Sequence, residues 1–234
     1  MPFLTETGTV DVAALYLGSP DAELDETNPE NRFSPEWLDA VTALLDEAAA
    51  GPAKALVVSA TGKFFSNGLD TDVIAAQPGD LPGYLDRVHA LYAKLLTLPL
   101  ATVAAVNGHA FGAGAMLALC ADHVVMRTER GFWSLPEAAL QMPFTRGMAS
   151  LLTTRLPDHT ATEAMLTSRR YGAEDALAAG IVDEVVDVAD LPARASAVAA
   201  ERASLAGPNL TAIKTGLRRS LLADLATPTP ASIL

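Results

Sequence analysis

Two stretches of this 234-residue chain share a design suited to holding negative charge. They are "LVVSATGKFFSNGLD", residues 56–70, and "VAAVNGHAFGAGAMLALCAD", residues 103–122. Each reads as a buried strand, a turn of small and glycine residues, then a helix. The first amides after such a turn lack partners within the helix and point outward, where an oxygen bearing negative charge can accept them. Small residues are needed because the backbone must come close to that oxygen. The oxygen could belong to a phosphate or to a charge that develops during a reaction. A dinucleotide loop matches only in part. Gly112-Ala113-Gly114 supplies G-x-G and Glu129 follows the next strand, but Leu117 occupies the third glycine position. Residues 107–111 also separate the strand from the first glycine, where dinucleotide loops turn at once.

Other chemistry is narrowed by composition. The single cysteine, Cys120 in "LALCAD", reads as a small buried apolar residue and has no internal disulfide partner. His89, His109, His123 and His159 are scattered without metal-ligand spacing, so no metal site is expected. With 16 Lys and Arg against 28 Asp and Glu, the net charge of -12 repels polyanions, and no basic stripe argues for nucleic acid. An anionic small molecule needs only a few cations gathered locally. Half the residues are hydrophobic, yet no apolar run reaches the roughly 18 residues of a membrane span. "MPFLTETGTVDV" has no basic region ahead of an apolar segment, and "ASIL" is no peroxisomal address, so a cytoplasmic protein is expected.

The elements that must position the two turns follow from patterning. "GTVDVAALYL" reads as a strand, and an acidic surface loop is expected over residues 19–31. "SPEWLDAVTALLDEAAAG" reads as an amphipathic helix, with Ser34 as N-cap, Pro35 at the first helical position and Gly51 as stop. "KALVVSATG", "ATVAAVNG" and "HVVMR" read as buried strands, and a helix is expected over residues 80–98 with Leu81, Leu85, Val88, Tyr92 and Leu95 at helical spacing. Strand, helix, strand is the order of a parallel sheet. Beyond residue 130, "PFTRGMASLLTTRLP", "TATEAMLTSR" and "GAEDALAAG" read as shorter helices and "IVDEVV" as a brief strand. Two last helices, 189–206 and 209–225, flank a hinge at Gly207-Pro208.

"KFFSNGLD" followed about forty residues later by "AAVNGHAFGAGAMLALCAD" resembles the paired oxyanion loops of the crotonase superfamily, the enoyl-CoA hydratases and isomerases. The resemblance continues through "LPEAALQMPF" and "YGAEDALAAGIVDEVV", to about residue 190. It implies an α/β fold, a crotonase-like ββα spiral over residues 1–190 with helical C-terminal segments over 191–234, and assembly as homotrimers or hexamers. It also implies that the backbone N–H groups of Leu69 and Ala113 together bind the thioester oxygen of an acyl-CoA. Among further contacts it implies Lys63, Phe64, Ser66, Gly68, Gly112, Met116 and Lys214 at the substrate or its coenzyme A part, the lysines near adenine or phosphates. No separate cofactor is implied, since coenzyme A arrives with the substrate.

Removing a proton beside a thioester pushes charge onto its oxygen, where one pre-aimed donor is worth about 3 to 4 kcal/mol. Two family positions carry catalytic glutamates. The first falls on Met116, which cannot accept a proton, and the second on Glu137 in "SLPEAAL". An ordinary acid at a helix start would also suit a place after Pro136. Hydration calls for two groups, whereas moving a double bond from C3 to C2 needs one base that takes a proton from C2 and returns it at C4. The sequence therefore resembles the Δ3,Δ2-enoyl-CoA isomerases most, with burial near Phe132, Trp133, Leu135 and Met116 expected to raise the pKa of Glu137 towards 7. A hydratase, another crotonase-type lyase or hydrolase, and a non-catalytic acyl-CoA-binding protein are the alternatives. His109 reads as a turn residue beside the site, and Asp70 and Asp122 as residues that fix local geometry.

Overall fold

Three strands with apolar, buried centres set the architecture of the computed structural model, which describes residues 1–18 and 30–233. They are β3 (Ala55–Ser59), β5 (Ala101–Val106) and β7 (His123–Arg127), which run parallel with Val57 beside Val103 and Ala105 beside Val125. Strands buried on both faces lack polar alternation, as parallel sheets require. Ahead of them, β1 (Phe3–Glu6) pairs antiparallel with β2 (Val12–Tyr16), and β2 joins β3 in parallel. The strand expected in "GTVDVAALYL" is thus only its second half. Its first residues turn through Gly8 and Asp11, both at positive φ, from an edge strand too short and too exposed to show in the pattern. Most of the expected acidic loop lies outside the described residues.

Each central strand leads into a short strand of a second sheet. These are β4 (Phe64–Ser66), β6 (His109–Phe111) and β8 (Trp133–Ser134), parallel to one another, with β9 (Arg170–Tyr171) antiparallel at the edge. Among the described residues, the large sheet has the order β1-β2-β3-β5-β7-β10 and the small one β4-β6-β8-β9, with β10 (Glu184–Val186) closing the first. Strand, short strand, helix is therefore the repeating unit, and it winds as a spiral. The helices are α1 (Pro35–Ala50), α2 (Thr71–Ala76), α3 (Leu81–Thr97), α4 (Ala113–Leu119), α5 (Glu137–Leu140), α6 (Arg146–Arg155), α7 (Asp158–Thr167) and α8 (Ala173–Ala178), followed by α9 (Leu191–Arg202), α10 (Pro208–Leu217) and α11 (Arg219–Leu225). Ser34 caps α1 by accepting from Trp37 N at 3.2 Å, and Asp70 caps α2 by accepting from Asp72 N and Val73 N.

One face of the large sheet packs under α1, α3 and α4 in the main core. The other, through Val57, Val103 and Val125, meets Leu191, Ala195 and Val198 of α9. None of the described helices is long and apolar enough to cross a membrane. The helix expected over 209–225 is two helices, because Arg218 turns inward at their junction to the carbonyl of Leu96 and to Asp122. Asp122 accepts from Thr102 N and Oγ1 at 3.0 Å each, from Lys214 Nζ at 2.5 Å and from Arg218 at 3.2 Å. This clasp ties α10 and α11 to the start of β5, the end opposite the glycine turns.

Burial pushes the Asp122 carboxyl up, but Lys214, the hydrogen bonds it and Thr102 donate, and Arg218 outweigh that and hold it below the usual range. The stability it contributes is present above the ordinary carboxylate pKa of about 4 and is lost as pH falls below it. Asp122→Asn leaves two buried cations unpaired, so a loss of about 3 kcal/mol or more in urea unfolding at pH 7 is expected, shrinking towards acid pH. A variant as stable as the wild type at pH 7 contradicts this role.

Candidate active site

β4 and β6 lie side by side and parallel, Phe64 opposite His109, so the turns leaving their C-terminal ends emerge together. In the first turn Gly68 adopts φ +84°, and a Cβ there would lie 2.6 Å from Phe111 O and 3.0 Å from Ala113 N. Only glycine allows that approach. Gly68 O accepts from Phe33 N at 2.9 Å, and every described peptide is trans. A trans peptide sends its carbonyl and its N–H in opposite directions, so the Leu69 N–H is driven away from Phe33.

The second turn obeys the same rule. Gly112, at φ +51°, gives its carbonyl to Met116 N at 3.0 Å, which turns the Ala113 N–H outward from the start of α4. Gly114 lies against Ser66, where a Cβ would come within 2.5 Å of its carbonyl. Among the described residues, neither the Leu69 nor the Ala113 N–H has an acceptor.

Glu137 opens α5 directly after Pro136. A Cβ on Gly112 would lie 3.1 Å from Glu137 Oε1, so the carboxyl occupies the space that the missing side chain leaves, one residue from the Ala113 amide. Its Oε2 is buried with no hydrogen-bond partner among the described residues. Burial pushes the carboxyl up to about 7, and only its own backbone N–H pulls the other way. The arrangement is two unpartnered amides beside one carboxyl group that titrates near neutrality.

The structure thus brings Leu69, Ala113, Gly68, Gly112 and Glu137 into one place. Met116 sits in the first turn of α4 and is fully buried, as are Trp133 and Leu135, whereas Phe132 faces outward and stacks on His109 at 5.7 Å between centroids. Lys63 is exposed, with Nζ 5.3 Å from the Phe64 ring. Phe64 itself is buried and packs on His109 and Phe111. His109 Nδ1 accepts from Phe132 N at 3.2 Å, which gives it a place in the small sheet.

Two expectations are corrected. Ser66 does not reach outward, because its buried hydroxyl donates to Asn31 O at 2.7 Å and accepts from Gly68 N at 3.1 Å, shaping the turn from beneath. Lys214 is buried, bonded to Leu100 O at 2.7 Å and to Asp122, so it has no free ammonium to offer a phosphate. Sequence reasoning gave no site role to Phe33, Asn31, Tyr84 and Tyr92, all of which hold the turns. Asn31 Nδ2 donates to Phe64 O and Phe65 O, and Tyr92 Oη to Ala113 O. The one available signal was that Tyr84 and Tyr92 fall two turns apart on the same helix.

Residues 21–230 match the family model described as enoyl-CoA hydratase/isomerase. A peroxisomal enoyl-CoA delta isomerase 2 of Arabidopsis thaliana is 34% identical over 164 residues, 66% of this chain and 68% of its own. A carnitinyl-CoA dehydratase of Escherichia coli K12 is 37% identical over 162 residues, 68% of this chain and 61% of its own. Among solved structures, a probable enoyl-CoA hydratase of Mycobacterium tuberculosis superposes with a TM-score of 0.84 at 26% identity, covering 96% of this chain and 91% of that one. Human mitochondrial delta3-delta2-enoyl-CoA isomerase shares the fold, with a TM-score of 0.84 at 22% identity over 95% of this chain and 84% of its own.

A buried carboxyl whose pKa is raised from 4.5 to about 7 makes the folded state prefer the neutral form. The wild type therefore loses stability as pH rises from the unfolded value to about 7, and no more above it. Glu137→Gln has no such loss. Between pH 4 and pH 9 its stability relative to wild type should rise by about 1 to 3 kcal/mol, the full shift discounted for partial exposure. Denaturant midpoints that stay in parallel across that range would place the carboxyl in water.

Proposed function

The chain belongs to the enoyl-CoA hydratase/isomerase family, and we propose that it moves the double bond of a 3-enoyl-CoA to C2 with Glu137 as the single acid and base. Ionised Glu137 takes a proton from C2, and the electron pair of that C–H bond enters the thioester carbonyl as an enolate. The N–H groups of Leu69 and Ala113 hold the oxygen that gains the charge. The dienolate then takes the same proton at C4, Glu137 is ionised again, and the double bond stands between C2 and C3. No water, electron or separate cofactor enters the balance.

The observation that carries this reading is the placement of the Glu137 carboxyl. Glu137 sits against Gly112 with one oxygen unpartnered among the described residues, while Met116, at the position where the crotonase resemblance implies a second acid, is fully buried. A base with pKa near the working pH moves a proton most effectively, and typically contributes 10²- to 10⁴-fold, about the order expected here. Each amide adds about 3 to 4 kcal/mol where the charge grows, since it meets the enolate better than the ground-state carbonyl. The enoyl-CoA delta isomerases at 32 to 35% identity support the same choice. The reading extends to a cytoplasmic homotrimer or hexamer, the assembly that the crotonase resemblance implies, with Lys63 and Phe64 near the coenzyme A part of the acyl-CoA.

Purified protein should convert 3-hexenoyl-CoA to the 2-enoyl product, read by the absorbance of the conjugated thioester. Glu137→Gln should lower kcat at least about 10³-fold with acyl-CoA affinity kept within about threefold. Near-normal turnover in that variant removes the assignment. Faster hydration of crotonyl-CoA than isomerisation makes the protein a hydratase, and tight binding with no turnover makes it an acyl-CoA-binding protein.

A further inference from the structure

The two amides stand on separate segments, one after β4 and one after β6, so no local bond sets the distance between them. Helix α3 touches both segments through phenol hydroxyls. Tyr84 Oη donates to Phe33 O at 2.8 Å and accepts from Asp70 N at 3.0 Å. Phe33 N in turn holds Gly68 O at 2.9 Å. The short stretch from Gly68 to Asp70 is thereby fixed at both ends by the Phe33–Tyr84 pair, and the Leu69 N–H lies between the two fixings. Two turns on, about 12 Å along the axis, Tyr92 Oη donates to Ala113 O at 2.8 Å. That bond stops the first turn of α4 from rolling about its own axis. A third contact from α3, His89 Nε2 to Thr145 Oγ1 at 2.7 Å, fixes the end of the loop that follows α5.

Both hydroxyls are buried, and burial pushes the Tyr84 phenol up to about 12 and the Tyr92 phenol well above its ordinary value, so each keeps its proton. Helix α3 is itself rigidly seated, with Leu85, Val88, Leu91 and Leu95 in the main core. On the reading of the site given above, we propose that Tyr84 and Tyr92 are positioning residues that set the separation of the Leu69 and Ala113 amides, with α3 as their common support. The enolate oxygen needs both donors within hydrogen-bond reach at once, and a shift of about 1 Å in such an arrangement can cost about 100-fold in rate.

Phenylalanine keeps the ring and its packing and removes only the hydroxyl, so Tyr84→Phe and Tyr92→Phe test the proposal in the full-length protein. Each should lower kcat on 3-hexenoyl-CoA about 10- to 100-fold while KM changes less than about threefold. Affinity for hexyl-CoA, a thioether with no carbonyl oxygen, should stay at the wild-type value. General damage to the fold would move KM and thioether affinity together with kcat. Backbone amide exchange read by mass spectrometry should quicken only around residues 68–72 in Tyr84→Phe and only around 112–116 in Tyr92→Phe. Wild-type kcat in both variants, or joint loss of kcat and thioether affinity, overturns the proposal. If the wild type turns over no 3-enoyl-CoA, the isomerase reading fails, and amide exchange still decides the positioning role. Segment-specific change then supports it, and unchanged or global exchange overturns it.

Discussion

The direction of an N–H group is settled by what holds the carbonyl of the same peptide. Gly68 O is held by Phe33 N, and Gly112 O by Met116 N, so the Leu69 and Ala113 hydrogens have only one way to point. Everything else in the site serves that constraint. The parallel pairing of β4 with β6 brings the two turns side by side, and Gly68, at positive φ, together with Gly114 allows backbones to meet where a Cβ would collide. The side chains of Leu69 and Ala113 carry none of this, which is why their identity says little and their surroundings say much.

The carboxyl beside these amides is held in the opposite manner. Asp122, at the far end of β5, is surrounded by donors and kept ionised, whereas Glu137 has a buried oxygen without a partner among the described residues and is kept near the midpoint of its titration. A fully satisfied carboxylate is a poor base, and an unpartnered buried one costs stability. The fold tolerates that cost because the core beneath is continuous from α1 and α3 to α4, and α9 covers the second face of the large sheet.

Much of this frame was legible in the sequence because long elements carry redundant signals. Ser34, Pro35 and Gly51 mark both ends of α1, and the apolar runs of β3, β5 and β7 have no other sensible place. The small sheet was not legible, since strands of two or three residues show no period, and "HAF" or "WS" become strands only through their neighbours. The motif points to Glu137, but the depth of its carboxyl depends on Gly112, forty-four positions from Gly68 and twenty-five from the acid. Lys214 and Ser66 misled for one reason: a polar side chain in a promising motif can be satisfied from inside, by Leu100 O and Asp122 or by Asn31 O. Tyr92 reads as an ordinary apolar position of α3 and nothing in the pattern singles out Tyr84, because a phenol buries its ring wherever its hydroxyl goes.

The central claim is that amides and carboxyl act on one bound thioester, and deuterium exchange at C2 of a saturated acyl-CoA reports on all three groups without presupposing a product. In deuterated buffer the wild type should exchange C2 hydrogens, with a rate that rises with pH through about 7 as Glu137 ionises. The Glu137→Gln protein should bind the same acyl-CoA and leave those hydrogens in place. Exchange that persists in the variant, or a wild type that binds acyl-CoA with no exchange at any pH, would contradict the account.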